Sequence, residues 1–279
     1  MVPGDNRSLG NSLRVPSGLE GTREKLLRSA THYVDTIGLS LRMNDALIQH
    51  LSAEAGVTAK EFSKVWSSTE EFLADLFTEL ANQARIDRAD TQTLLTTWQY
   101  LSMRSADLRS AAGRRCLLID IIRTGAEYNF HVVTASNKWR TYAALSTTIL
   151  SWPESEARTR VLDALRASQL AFVETMESFY RNVLPTLGYR LKPMFNNDYQ
   201  PFVVAGASVI EGLGIVRSTV PSLVGAHFRD SDTAEDAEPW SVASLAFMGV
   251  LDAFFEPDPE FEPEEAIARV NGGVDVSPQ

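Results

Sequence analysis

The chain of 279 residues is 44% hydrophobic and 22% charged, a balance that supports a buried core and excludes a disordered or low-complexity polypeptide. Its 26 Lys and Arg against 36 Asp and Glu leave a formal net charge of −10, so binding to a polyanion would require basic residues gathered in one place. The one cysteine, Cys116, excludes an internal disulfide framework. It predicts a reducing, cytoplasmic setting and, placed before Leu117 and Leu118, a small buried hydrophobe.

Residues 1–20 lack the apolar run of a signal peptide and read as a flexible arm rich in Gly, Ser, Asn and Pro. From Thr22, Leu26, Leu27, Ala30, Tyr33, Val34 and Ile37 recur at three-and-four spacing, predicting an amphipathic helix that Gly38 ends. Asn44 or Asp45 caps a second helix carrying Leu47, Ile48 and Leu51, and Gly56 closes it. Thr58 caps a third, with Glu61 three residues on as in a capping box. Ser68 or Thr69 caps a fourth, with Phe72, Leu73, Leu76, Phe77 and Leu80 on one side. Breaks at 87–90, Gly113, 151–153, 185–193 and Pro221 separate further helices near 91–110, 114–129, 136–150, 154–184, 199–218 and 240–255. The longest carries Val161, Leu165, Phe172, Met176, Phe179 and Val183 along one stripe. No stretch alternates with period two, so the predicted class is all-α.

Residues 230–238, DSDTAEDAE, read as a mobile acidic loop. Residues 256–279 read as an acidic Pro- and Gly-rich tail that frays after at most a short turn at 263–270. The longest apolar stretch, Val242 to Phe255, is interrupted by Asp252 and falls short of the ~20 residues a membrane span needs, so no membrane partner is expected.

The segment from Leu51 to Leu73, LSAEAGVTAKEFSKVWSSTEEFL, has two short helices around an Ala-Gly turn. Ala55, Gly56, Val57 and Thr58, then Phe62, Trp66, and Ser68, Glu70, Glu71, Phe72 and Leu73, resemble the DNA-binding segment of the tetracycline-repressor (TetR) family. The first helix fits that family's opening pattern as well, and about sixty residues carry the likeness. The resemblance implies a three-helix helix-turn-helix domain at 21–84, which places its last helix, 58–65, in a DNA major groove. It implies a larger helical effector-binding and dimerisation domain at 85–255. The function it implies is a ligand-responsive homodimeric repressor on a pseudo-palindromic double-stranded operator.

Carried over residue by residue, the DNA contacts fall on Arg42, Thr58, Ala59, Lys60, Ser63, Lys64 and Thr69. Lys60 and Lys64, four apart, share one helix face. The loop from Gly38 to Asp45 is longer than the family's usual one, and the other departures weaken phosphate contact. Ser63 stands where a tyrosine is usual and Thr69 where a lysine is usual, and Glu61 adds a carboxylate to the reading helix. From Gly21 to Leu80 six basic residues face nine acidic ones.

Candidates for lining a pocket for a small hydrophobic effector are Trp98, Met103, Tyr128, Trp139, Tyr142, Phe172 and Met176. Candidates for a dimer interface are Val203, Ala207, Ile210, Leu213, Leu245, Met248 and Leu251, on two late helices rich in small residues. Catalytic and cofactor signatures do not emerge. His32, His50, His131 and His227 lack metal-ligand spacing, Gly212-Leu213-Gly214 follows no strand, and there is no nucleophile elbow. The expectation is therefore a non-enzymatic protein without metal or cofactor. The second reading is a module of the same descent that senses a ligand or binds a protein but no longer reads DNA specifically. An all-helical enzyme is a distant third.

Overall fold

The computed structural model describes residues 18–39, 45–84, 91–229 and 239–272. The chain divides into two units, 1–79 and 80–279. In the first, helices α1 (Leu19–Ile37), α2 (Asp45–Glu54) and α3 (Ala59–Val65) precede α4 (Thr69–Ala84), within which the division falls. The predicted apolar stripe of α1 is buried at Leu26, Leu27, Ala30 and Val34, joined by Ile48 and Leu51 of α2 and by Phe72 and Leu76 of α4. Gly56 turns the chain between α2 and α3 at φ +66°, which a residue with a Cβ adopts at a cost. The Gly56 N–H donates to Ala53 O at 3.1 Å and the Val57 N–H to Ser52 O at 2.8 Å, the paired bonds of a Schellman motif.

In the second unit α5 (Thr91–Met103) leads through a 3₁₀ turn at Ser105–Arg109 to α6 (Ala111–Ala135), α7 (Asn137–Ser151) and the 31-residue α8 (Glu156–Thr186). Strand β1 (Tyr189–Leu191), α9 (Gln200–Arg217), α10 (Pro221–Val224), β2 (His227–Phe228), β3 (Trp240–Ser241), α11 (Val242–Phe254), β4 (Phe255–Pro257) and α12 (Pro263–Asn271) follow. Helix α11 packs against both α6 and α9, and α8 packs against α7 and α9. Phe202 forms the centre of an aromatic cluster with Tyr180, Phe247, Phe254 and Phe255, at centroid distances of 4.8–6.0 Å. Burial pushes the Tyr180 phenol well above its ordinary pKa. Ion pairs Arg115–Asp252 (3.0 Å) and Arg190–Glu256 (2.8 Å) tie α6 to α11 and β1 to β4.

All-helical architecture matches the expected class, with the only strands among the described residues being two short antiparallel pairs, β1–β4 and β2–β3. No helix among the described residues is long and apolar enough to cross a membrane. Three expectations change. Residues 256–271 do not fray: Glu256 pairs in the β1–β4 ladder, and α12 starts at Pro263 and buries Ala266 and Val270 against the core. The acidic composition concealed an Ala266–Ile267–Val270 stripe, and the Arg109–Glu264 contact at 2.9 Å secures the first turn of α12. Cys116 is exposed rather than buried, because Leu117 and Leu118 take the inward face of α6. Helix α5 stops at Met103, where Arg104 folds back to donate to Asp107 (2.7 Å) and Asp120 (2.8 Å). The N-terminal arm to residue 17, the acidic loop 230–238 and the end of the tail lie outside the described residues.

Two glycines on neighbouring helices make opposite predictions. A Cβ on Gly214 of α9 would sit 2.6 Å from the Trp139 ring and 2.7 Å from the Thr134 methyl, whereas one on Gly125 of α6 meets nothing within 4 Å. Gly214→Ala is expected to destabilise the protein by about 1–3 kcal/mol through overpacking. Gly125→Ala is expected to stabilise it by roughly 0.5–1 kcal/mol through helix propensity. Urea unfolding followed by circular dichroism measures both.

Candidate nucleic-acid interface

Seven residues are too few for α3 to be stable as an isolated helix, so its position depends on its ends and its inner face. At the N-terminus Thr58 and Glu61 form a reciprocal capping box. The Glu61 N–H donates to Thr58 Oγ1 (3.2 Å), while the Thr58 N–H (2.8 Å) and Oγ1 (2.7 Å) donate to Glu61 Oε2. These bonds from Thr58 hold the Glu61 carboxyl below its ordinary pKa, and Lys64 adds to the effect. At the C-terminus Trp66 is buried between Phe62 and Phe72, with both ring centroids at 5.1 Å. Its Nε1–H donates to Asp75 Oδ2 at 2.9 Å, and the same oxygen accepts from Arg23 Nε of α1 at 3.0 Å. Helix α4 starts behind this clasp: Ser68 Oγ accepts from the Glu71 N–H (3.2 Å), and Thr69 Oγ1 donates to Asp45 Oδ1 at the head of α2 (2.9 Å).

With Phe62, Val65 and Trp66 turned inward, α3 presents Ala59, Lys60, Ser63 and Lys64 to solvent. Neither lysine has an ion pair among the described residues, and all four side chains are exposed. Its side chains can approach a groove edge, the lysines as point charges for phosphate and Ala59 and Ser63 as small neighbours that let the helix come close.

The predicted contact residues therefore separate into groups. Ala59, Lys60, Ser63 and Lys64 are brought together on the outer face of α3. Ser63 is constrained there, because its hydroxyl donates to Ala59 O at 2.9 Å within the helix. The Thr58 and Thr69 hydroxyl protons are committed to the capping box and to Asp45, so these two residues hold the scaffold instead of presenting donors outward. Glu61, expected to intrude on the reading face, is drawn back over the helix start. Arg42 lies outside the described residues. Of the residues whose contacts position α3, the sequence marks Trp66 only through the resemblance, and it marks neither Asp75 nor Arg23. An Asp three positions after Phe72 reads as an ordinary solvated residue until its two donors are placed around it.

In the second unit the pocket candidates disperse. Met103 and Tyr128 are 77% and 50% exposed and line no interior space. Both sit on the outer side of helices whose inward stripes are taken by Leu101 and by Ala126 and Phe130. Trp98 packs on the main core, Trp139 on Gly214, and Tyr142 donates its hydroxyl to Gln169 (2.8 Å) between α7 and α8. Phe172 and Met176 are half-buried along α8. Of the dimer candidates, Val203, Ile210, Met248 and Leu251 are buried in their own chain, and Ala207 and Leu213 are half-buried, because α6, α9 and α11 pack on one another. Leu245 remains exposed at 42%. It lies on a stripe with Gly249 and Asp252 of α11, and α9 shows a parallel stripe of Val204, Ser208 and Ile215. The four histidines form no metal cluster with acidic residues or Cys116 among the described residues, although Glu127 brings His227 (2.7 Å) and His131 (3.7 Å) together.

No protein-family model, curated protein or solved structure matches this chain.

The capping box predicts a specific acid sensitivity. Thr58→Ala should lower the stability of the first unit by about 1 kcal/mol. Because the fold depresses the Glu61 pKa, its stabilisation is present above the unfolded carboxyl value and is lost as pH falls through the depressed folded value. Amide protection factors across 59–65, taken relative to intrinsic exchange at each pH, should fall in that acid range in the unsubstituted protein, and Thr58→Ala should remove most of the pH dependence.

Proposed function

We propose that the chain is a DNA-binding transcription regulator of TetR type, working as a homodimeric repressor that a small effector releases from DNA. The observation that carries this reading is the outer face of α3, where Lys60 and Lys64, without an ion pair among the described residues, are exposed beside Ala59 and Ser63 on a helix held from behind by Trp66 and Asp75. A short helix with a bare, small-residue face and two cations suits a major groove better than it suits a protein core. The Schellman turn at Gly56 and the capping box at Thr58 match the segments that carry the resemblance to the family. Effector control is a population shift: a ligand that favours the conformer with the lower affinity for DNA lowers occupancy of the operator.

The second reading, a module of the same descent without specific DNA binding, draws on one observation. Thr58 and Thr69 spend their hydroxyl protons inside the protein, so few side chains remain for phosphate.

A band-shift titration on the DNA flanking its own gene separates the two. The regulator reading predicts a competitor-resistant complex whose log–log salt slope is shallower than about −10. Lys60→Ala or Lys64→Ala, each removing one phosphate contact per subunit of the dimer, should make that slope shallower by about 2, and the double variant should abolish the complex. A complex unaffected by the double substitution would place the DNA contact elsewhere.

Dimerisation is assigned to the exposed stripes on α9 and α11, where Gly212 and Gly249 have open space above them. A second copy related by a twofold axis would present the same stripes and would match an operator with inverted half-sites. Leu245→Arg should convert a dimer to a monomer in light scattering after gel filtration while leaving the helical signal intact. A persistent dimer would move the interface to another face.

A further inference from the structure

Helix α6 carries a charged residue where its apolar stripe requires a hydrophobic one. Ile119, Ala126 and Phe130 mark the inward face by three-and-four spacing, and Arg123 falls among them. It is only 7% exposed. Its guanidinium lies over the ring of Trp240 in β3, 4.6 Å from the centroid, and its Nε is fully buried with no acceptor among the described residues.

Helix geometry would supply Arg123 with two carboxylates, Asp120 three residues before it and Glu127 four after it. Both are engaged elsewhere. Asp120 accepts from Arg104 Nη1 at 2.8 Å and from the Tyr100 hydroxyl at 3.0 Å, and Glu127 accepts from His227 Nε2 at 2.7 Å. Arg104, Arg109, Arg115, Arg181 and Arg190 of the same unit each hold a carboxylate, whereas Arg123 has no ion pair among the described residues. A buried cation without a counter-charge is among the most costly arrangements a core can contain. The face of Trp240 offsets part of that cost and fixes the guanidinium, but an aromatic face leaves the N–H fork uncommitted.

We propose that Arg123 anchors a ligand site in the second unit that takes the carboxylate of a small molecule whose apolar body lies beside Trp240. The fork matches a carboxylate in two parallel hydrogen bonds. The neighbouring core is apolar, with Ile122, Ala126 and Trp240 belonging to one hydrophobic cluster. One guanidinium balances one negative charge, which selects a monoanion over a phosphate dianion. This inference rests on the reading of the second unit as an effector domain, and it changes the effector from purely hydrophobic to an acid with an apolar tail or ring.

The test uses the full chain without DNA. Octanoate and benzoate are titrated against octanamide and benzamide, which keep the shape and lose the charge, with inorganic phosphate as a further anion; melting temperature and calorimetric heat are followed. The acids should raise the melting temperature by about 3 °C at tenfold the Kd, and the amides and phosphate should not. Arg123→Met should melt above the unsubstituted protein in the absence of ligand and should bind the acids at least 30-fold more weakly. Arg123→Lys, which keeps the charge and loses the fork, should fall between. Equal responses to acids and amides, no response to either acid, or undiminished binding by Arg123→Met would overturn the proposal. The acid–amide contrast on the unsubstituted chain decides the matter even if a variant does not fold. Acid binding by a protein that shifts no DNA would retire the regulator reading and leave this site standing; DNA binding with no acid response would do the reverse.

Discussion

The first unit depends on one buried side chain, Trp66. It follows the last turn of α3, lies between Phe62 and Phe72, and donates its indole N–H to Asp75, which also holds Arg23. A seven-residue helix has too few internal hydrogen bonds to offset the entropy of ordering it, so this contact and the cap at Thr58 decide whether α3 exists as a helix. The consequence is functional as well as structural. With its anchors at the two ends and on the inner side, α3 is free to leave Ala59, Lys60, Ser63 and Lys64 bare. A rigid support behind an uncommitted face is what a recognition surface requires.

The same logic limits what the surface can do. The two threonine hydroxyls that could have reached phosphate serve the scaffold, and Ser63 bonds to its own helix. Binding energy would then have to come from few cations and from close approach, in a unit with more acidic than basic residues. The proposed regulator would therefore hold DNA through shape and base-edge contacts more than through charge.

Much of this was legible in the residues. Local signals worked where the chemistry is local: Gly56 for a positive φ, Thr58 with Glu61 for a capping box, and three-and-four spacing for α1, α4 and α8. They failed where the partner is distant in sequence. Nothing around Asp75 signals that it would accept from both Trp66 and Arg23. Residues 263–271 read as part of a solvated tail because acids, prolines and glycines surround them, yet Ala266, Ile267 and Val270 pack on the core and seat α12. Small residues on two late helices permit close approach to a partner copy and to the chain's own core alike; Val203 and Met248 are buried within the chain, while the stripe with Leu245 stays exposed. Arg123 could have been noticed as a charge inside the stripe of α6. Its significance required knowing that Asp120 and Glu127 were both taken.

The central claim is that the outer face of α3 reads DNA, and the most direct measurement is recovery of genomic fragments by the purified protein, followed by sequencing. A recognition helix in each subunit of a dimer should enrich a few sites sharing an inverted repeat with half-sites about one helical turn apart, and that enrichment should be lost when Lys60 and Lys64 are both alanine. Fragments without a shared motif, or a motif that the double substitution leaves equally enriched, would contradict it.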